Sequence, residues 1–307
     1  MTTKDITKTL SELRSMNETI IDDHLVDSLQ EIEHSYFNMK GFLTNVRVKK
    51  IMSTFEQSST DIYVQTIPKA GTTLVQMILY QMTTDGNMDF QHLYDVSPWY
   101  TVPARGSSKT FRNFLQNPPK YSGRKIIKSH LQYSMFKDLK KGKLVYVLRD
   151  VRDQILSSYH QQVNYFGYKG EFKNYVDGNM EYWFKENKVW LRNEYSLPII
   201  YLNYEDIISD KRAVIIKLAD FLDIPISENV IDRVIERTSF SFMKKHEKKF
   251  GERPVANDER KFNQFIRKGK VGKGKDQFTK EQIEKYQKLS LDFFGTHEIT
   301  KRYFESL

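Results

Sequence analysis

The chain has 307 residues, of which 39% are hydrophobic and 13% aromatic, so it can bury the core of one large domain or of two small ones. It contains no cysteine, which excludes disulfides, thiolate metal ligands and a cysteine nucleophile. Its first 20 residues lack the apolar core of a signal peptide, and no stretch approaches the ~18–20 apolar residues of a membrane span. These features predict a cytoplasmic protein that contacts no membrane.

The net charge of +9 is concentrated in one segment. Residues 241–275 hold 12 lysines and arginines against 4 aspartates and glutamates, a net charge of +8. Such a run is most often a solvated face, but its concentration also fits a polyanionic partner. Nucleic acid and a nucleotide with several phosphates are both candidates.

The first predicted strand, 61–67, runs through a short loop into a predicted helix, 72–84. The loop contains Lys69 and Gly71, and the helix opens on Thr72 and Thr73. The N–H groups and the dipole of a helix start favour an anion, to which a lysine and two hydroxyls add donors. The spacing is not the G-x-x-x-x-G-K-[ST] of nucleotide loops. An anion cradle and an ordinary strand-to-helix turn both remain open from spacing alone.

Strands and helices alternate along the rest of the chain. Further strands are predicted at 125–128, 143–149 and 198–203, and further helices at 150–164, 178–194, 211–222, 227–236 and 279–293. This alternation predicts a single α/β domain over residues 1–307, with a central, mostly parallel sheet flanked by helices. Residues 1–40 are expected to form an N-terminal extension.

Four polar residues follow the predicted strands: Lys69, His130, Arg149 and Tyr204. Ligands of parallel α/β sheets bind beyond the carboxyl ends of the strands, so these residues are candidates for a site. A histidine held there suits a general base, and Lys128 beside it favours the neutral imidazole that a base requires. For a single histidine or arginine, a purely structural role is the simpler interpretation.

Six blocks together resemble the cytosolic sulfotransferases that use 3′-phosphoadenosine 5′-phosphosulfate (PAPS). The resemblance covers about residues 35–300, and the blocks occur in the family's order. The blocks are 66–73 (similar to T-Y-P-K-S-G-T-T), 128–131 (K-T-H-L), 149–159 (R-N-x-K-D-x-x-x-S-Y-Y), 204–206 (Y-E-D), 238–245 (T-S-F-x-x-M-K-K) and 265–269 (F-M-R-K-G).

The resemblance implies a P-loop-like nucleotide-binding fold and a role for each matched residue. His130 would take a proton from the hydroxyl or amine of a small-molecule acceptor, while Lys69 and Lys128 stabilise charge around the transferred group. No metal and no nucleic acid would be required, and 241–275 would form a basic lid and 3′-phosphate-binding segment. The donor-binding residues would be Lys69, Ala70, Gly71, Thr72, Thr73 and Leu74 in the 5′-phosphosulfate loop; Arg149, Ser157, Arg267, Lys268 and Gly269 at the 3′-phosphate; and Tyr204, Thr238 and Phe240 at the adenine.

The chain departs from the family pattern at several positions. Ala70 replaces a serine of the loop, Leu74 stands where a tryptophan often stacks on adenine, and Gly274 replaces a tryptophan. The family's dimer motif is degraded, with Lys280 in place of a valine, so a homodimer formed by that motif is doubtful.

The acceptor pocket is expected from variable loops at 85–120, 160–180 and 241–265, whose aromatic side chains suit a flat or apolar molecule. Core packing is the simpler interpretation for each aromatic taken alone. The aromatic residues in question are Phe90, Tyr94, Trp99, Tyr100, Phe111, Tyr165, Phe166, Tyr168 and Phe250.

Three other interpretations stay open. A P-loop phosphotransferase or NTPase would need Mg²⁺, for which Asp150 and Asp153 are the available carboxylates. A nucleic-acid-binding protein would use the basic segment 241–275 and would leave His130 unexplained. A sulfotransferase relative that has lost transfer, or that uses sulfation to drive elimination, is the third.

Overall fold

A computed structural model describes residues 56–99, 119–137, 139–251, 265–294 and 297–300. The predicted N-terminal extension, 1–40, lies outside these ranges. So do most of the stretch between residues 85 and 120 and the middle of the basic segment, 252–264.

A four-stranded parallel sheet with the order β2-β1-β3-β4 forms the centre of the described structure. The strands are β1 Ile62–Thr66, β2 Ile126–Ser129, β3 Lys143–Leu148 and β4 Ile199–Asn203. All four predicted strands are confirmed: β1, β3 and β4 are one or two residues shorter than predicted, and β2 has the predicted length but begins and ends one residue later. Since Gln65 pairs with Ser129 and Thr66 with Val147, the residues that follow β1, β2 and β3 emerge at one edge.

Helices follow the strands and cover both faces of the sheet. They are α1 Thr72–Thr83, α2 Leu93–Val96, α3 Val151–Phe166, α4 Phe172–Arg192, α5 Tyr204–Ser209, α6 Lys211–Leu222, α7 Glu228–Arg237, α8 Phe240–Lys245 and α9 Lys280–Phe293, with short 3-10 turns between some of them.

The predicted α/β fold is confirmed, and the main error is in α4. It begins at Phe172, six residues before the predicted start, and Gly178 lies inside it. Glycine disfavours helix interiors. Packing overrides that preference here, because Val176 and Met180 on either side of Gly178 are both buried in the core.

The core lies in two layers because alternate residues of each strand point to opposite faces. Tyr63 and Tyr146 face one layer, where the ring of Tyr146 stacks on Trp190 at a centroid distance of 5.0 Å. Val64 and Val145 face the other layer, beneath α1, α6 and α7. Burial on both faces explains why the strands are continuously apolar rather than alternating. None of the helices in the described part of the chain is both long and apolar enough to cross a membrane.

A capping box lies at the start of α9 and can be tested. Gln282 N–H donates to Thr279 Oγ1, and Thr279 N–H donates to Gln282 Oε1. Thr279→Ala removes the side-chain acceptor and should lower the free energy of unfolding by about 1 kcal/mol. Urea denaturation measures the loss, and Thr279→Ser, which keeps the hydroxyl, should stay close to the wild type. Equal losses in both variants would contradict the role of the cap.

Candidate active site

The loop between β1 and α1 has the backbone of an anion cradle. Gly71, the N-cap of α1, is left-handed at φ 110°, and no side chain of the described residues caps the helix. A Cβ at Gly71 would lie 2.5 Å from Cδ2 of Tyr204, so only glycine fits against that ring. Lys69 also has a positive φ of 73°, which is uncommon outside glycine and is found at functional loops. The first N–H groups of α1 are therefore left for a ligand or water.

Two side chains from α3 and its N-terminal side hold the loop's carbonyl groups. Arg149 Nη1 donates to the Lys69 oxygen at 3.0 Å, and Gln154 Nε2 donates to the Pro68 oxygen at 2.9 Å. Gln154 is itself fixed, because Trp183 Nε1 donates to its Oε1 at 2.9 Å. These bonds set the peptide planes of the loop, and they connect it to the core packed beneath α4.

His130 is joined to the end of β1. Its Nδ1 lies 2.8 Å from the Thr66 carbonyl oxygen and 3.2 Å from Thr66 Oγ1. A carbonyl can only accept, so Nδ1 carries the proton and the neutral ring keeps its lone pair on Nε2. Burial, with Lys128 and more weakly Lys69 adding to it, lowers the pKa of His130 to about 3, and the bond to Thr66 offsets only part of this. His130 is therefore a neutral imidazole at physiological pH.

Lys128 lies beside this imidazole within a group of aromatic rings. Its Nζ donates to Tyr94 Oη at 2.9 Å and lies 4.0 Å from the centroid of the Trp99 ring. The Trp99 ring in turn meets His130 edge-on, with the centroids 5.3 Å apart. The side chain of Lys128 is buried, so cation–π and hydrogen-bond contacts replace part of its hydration. A second cation thus stands next to the base.

Arginine and serine side chains gather on the other side of the loop. The guanidinium of Arg149 lies 4.4 Å above the Tyr204 ring, and its buried Nε has no hydrogen-bond partner in the described part of the chain. Burial and then the charge of Arg149 lower the pKa of Arg267, which shows that two like charges are held close together. Arg267, Ser157 and Lys69 line one open cleft. Positive charges gathered in a cleft favour a multiply charged anion.

The predicted adenine-binding residues take different positions. The ring of Phe240 is 46% exposed and lies against Gly269. Tyr204 is buried behind Gly71, and the hydroxyl of Thr238 is buried and donates to the Val234 carbonyl at 2.6 Å. Phe240 is thus the one of these three that presents a broad exposed surface.

The other predicted loop residues line or support the cradle. Ala70, which replaces the family's serine, is buried, so the absence of the serine hydroxyl leaves no gap at the surface of the loop. Thr72 is buried with its hydroxyl 2.6 Å from that of Thr66, whereas Thr73 is partly exposed at the helix start. Leu74 packs against the core layer beneath α1. Lys268 is exposed, and with Arg267 it lowers the pKa of His160, after burial as the main cause.

The carboxylates that could have served Mg²⁺ hold protein groups instead. Asp150 caps α3 and pairs with Arg152 at 2.6 Å. Both oxygens of Asp153 accept backbone N–H groups. Within the described ranges no three histidine, aspartate or glutamate side chains cluster as a metal site would require.

Several residues of the cleft were missed at the level of sequence. His160, Gln161 and Asn164 line it together with Ser157. They follow Ser157 on α3 by three, four and seven residues, which is the spacing of one helix face, so helical periodicity could have found them. Gln154 carried no comparable signal, since its role depends on Trp183 from another helix.

Of the aromatics predicted for an acceptor pocket, Tyr94, Trp99 and Tyr165 are at the site. Phe90 and Phe250 instead belong to the core layer beneath α1. Tyr100, Phe111 and the side chain of Phe166 lie outside the described residues.

The contact between Gly71 and Tyr204 makes a specific prediction. Gly167→Ala adds a Cβ at a left-handed position with nothing within 4 Å, so it should cost about 1 kcal/mol of stability. Gly71→Ala adds a larger backbone strain, because φ is 110° there and 67° at Gly167, and it adds the 2.5 Å clash, so its loss should exceed that of Gly167→Ala by at least about 1 kcal/mol. Chemical denaturation of both variants measures the difference, and similar losses would show that the ring does not constrain the loop.

Comparison with known proteins agrees with this arrangement. A sulfotransferase-domain family model matches residues 59–294. The chain is 29% identical over 271 residues to mouse Sulfotransferase 1B1, which covers 82% of this chain and 88% of that protein. It is also 29% identical over 250 residues to human Sulfotransferase 1E1, covering 77% and 84% of the two chains.

Solved structures show the same fold. A retinol dehydratase in complex with androsterone and the inactive cofactor PAP superposes with a TM-score of 0.66 at 21% identity, covering 82% of this chain and 85% of that one. Mouse SULT7A1 complexed with PAP gives a TM-score of 0.66 at 20% identity, covering 85% and 94%. With a family model that spans most of the chain, this protein belongs to the sulfotransferase-domain family.

Proposed function

We propose that the protein transfers a sulfuryl group from PAPS to a hydroxyl or amine of a small-molecule acceptor, with His130 as the general base. The observation that carries the proposal is the bond from His130 Nδ1 to the Thr66 carbonyl. It leaves Nε2 as a proton acceptor at the sheet edge where the anion loop begins. A sulfotransferase needs a base and a cluster of cations at one place, and the neutral His130 beside Lys128 supports this proposal.

The donor's chemistry fits the residues of the cleft. A nucleotide with a 3′-phosphate and a 5′-phosphosulfate carries negative charge at two separated points. The uncapped start of α1, with Lys69, Gly71 and Thr73, would hold the 5′ group, and Arg149, Ser157 and Arg267 would hold the 3′-phosphate. The buried Nε of Arg149, for which the described residues offer no partner, supports this assignment. Phe240 would stack on the base.

Bound PAPS supplies an activated sulfuryl group. His130 Nε2 would take the proton of the acceptor hydroxyl or amine as the new bond to sulfur forms and the bond from sulfur to the 5′-phosphate oxygen breaks, so that the nucleotide leaves with that oxygen. Lys69 would stabilise the negative charge on the oxygen that leaves with the nucleotide. Lys128 would stabilise the charge on the oxygens of the transferred group. Because the aromatic rings and backbone bonds fix these groups beforehand, their charges act without reorganisation, which is the largest source of rate in reactions of this kind.

The acceptor is proposed to be a small molecule that binds against Tyr94 and Trp99, the two aromatic residues beside Lys128. The indole Nε1 of Trp99 is buried and has no hydrogen-bond partner among the described residues, so it can donate to the acceptor. Similar proteins point to hydroxyl and amine acceptors alike, since one structural neighbour is a complex with androsterone and a curated rabbit relative is named Amine sulfotransferase. A cytoplasmic location and the doubtful homodimer remain predictions.

Binding of 3′-phosphoadenosine 5′-phosphate (PAP), the spent donor, tests the proposed site. In EDTA, PAP at about 100 times its dissociation constant should stabilise the protein by about 2.7 kcal/mol, a rise in Tm of a few degrees. Arg149→Ala should abolish the rise, because it removes the charge that the 3′-phosphate would meet. Arg212→Ala removes an exposed arginine that pairs with Glu228 and Asp232, and should leave the rise intact.

Thermal unfolding of the same protein samples also distinguishes a sulfotransferase from a phosphotransferase and from a nucleic-acid-binding protein. A rise in Tm with Mg-ATP or an oligonucleotide, and none with PAP, would refute the sulfotransferase proposal. Transfer of ³⁵S from labelled PAPS to phenolic, steroid and amine acceptors then identifies the acceptor class. His130→Ala should bind PAP normally and reduce transfer by about 100-fold or more.

The protonation state of His130 gives an independent test. Since its pKa lies far below that of a solvated histidine, the imidazole should stay neutral from pH 8 to pH 5. Its ring resonances, assigned by their absence in His130→Gln, should therefore not shift over this range in NMR spectra. A titration with a midpoint near 6.5 would show that burial and the two lysines do not set the state of the base.

A further inference from the structure

The basic triplet Arg267-Lys268-Gly269 lies in a segment that is fixed on both sides by carboxylates. On the N-terminal side, Ile266 N–H donates to Glu247 Oε1 at 2.6 Å. Lys244 closes this contact by donating both to the Ile266 carbonyl at 2.7 Å and to Glu247 Oε2 at 2.6 Å. The first fixed point is thus directly next to Arg267.

The second fixed point is Asp153, on the first turn of α3. Its Oδ2 accepts the N–H of Gly272 at 2.6 Å, and its Oδ1 accepts the N–H of Gly274 at 2.6 Å. The residue is only 3% exposed, so these charge-assisted bonds lie in a region of low dielectric. Five residues, 267–271, are left between the two fixed points.

Gly274 makes the approach of this segment to α3 possible. A Cβ at that position would lie 2.2 Å from the Arg152 carbonyl carbon and 2.6 Å from the Asp153 nitrogen. The tryptophan that the resembling family carries here could not occupy this arrangement. The close contact with α3 therefore requires a residue without a Cβ at position 274.

We propose that Asp153 is a positioning residue that sets the affinity for the donor's 3′-phosphate through the backbone of the 267–271 segment. This rests on the proposed function, since Arg267, Lys268 and Gly269 are the residues assigned to that phosphate. Holding the segment in place before the ligand arrives removes the ordering cost from binding. Ser157 is on the same helix as Asp153, so the two parts of the phosphate site are kept in register.

The negative charge of Asp153, taken alone, predicts that this residue weakens phosphate binding rather than strengthening it. A carboxylate near Arg267 repels an incoming phosphate, and its influence on that arginine is favourable to the cation. Asp153→Asn keeps the shape and removes the charge, so a purely electrostatic role would tighten phosphate binding. A positioning role would weaken phosphate binding. The substitution replaces one carboxylate oxygen by an NH₂ group that cannot accept, so either Gly272 or Gly274 loses its hydrogen bond.

The experiment compares two ligands that differ only in the 3′-phosphate, PAP and adenosine 5′-phosphate, by calorimetric titration. In the wild type PAP should bind more tightly. In Asp153→Asn the preference for PAP over adenosine 5′-phosphate should fall at least about tenfold, which matches the strength of one hydrogen bond to a charged group. The affinity for adenosine 5′-phosphate, which lacks the 3′-phosphate, should stay within about twofold. Asp276→Asn, which removes the same charge from an exposed site nearby, should keep the preference.

Gly274→Ala provides a second, independent variant if Asp153→Asn folds poorly, since its Cβ would force the segment away from α3. It should show the same loss of preference. An unchanged or increased preference in Asp153→Asn, or in Gly274→Ala where only that variant folds, overturns the inference. A wild type without any preference for PAP refutes the donor assignment itself, so the two failures can be told apart.

Discussion

His130 donates its Nδ1 proton to the carbonyl oxygen of Thr66, and this bond connects the ends of β2 and β1. The pairing of Gln65 with Ser129 in adjacent parallel strands brings the two residues together. One contact thereby fixes the tautomer of the ring, its orientation and its distance from the anion loop. The proposed base, the loop and the lysines beside them all take their places from this edge of the sheet.

Several positive charges gather at the site, and aromatic rings contact at least two of them. Lys128 is held by aromatic rings and a tyrosine hydroxyl, and the guanidinium of Arg149 lies over the Tyr204 ring. Nearby carboxylates point at backbone groups: Asp153 binds two N–H groups and Asp150 caps α3. An anionic ligand that binds among these cations would relieve their mutual repulsion.

The fold could be predicted from the sequence because local patterns of residues are enough to identify its strands and helices. Buried apolar runs identify parallel strands, and a capping box such as that of Thr279 and Gln282 marks a helix start. The predicted start of α4 at residue 178 was wrong, because the helix begins at Phe172 and buried residues on both sides of Gly178 keep it intact there. Phe90 and Phe250 were predicted for the acceptor pocket but belong to the core, because composition cannot distinguish an aromatic residue in the core from one in a pocket.

By itself the sequence determined the fold class, the positions of Lys69, His130 and Arg149 after their strands, and the family, because each depends on short-range order along the chain. Only the tertiary structure decided how these groups act. The tautomer of His130 depends on a carbonyl 64 residues away, and Asp153 reaches glycines 119 and 121 residues further on. Such contacts are set by how strands and helices pack, and no local pattern of residues encodes them.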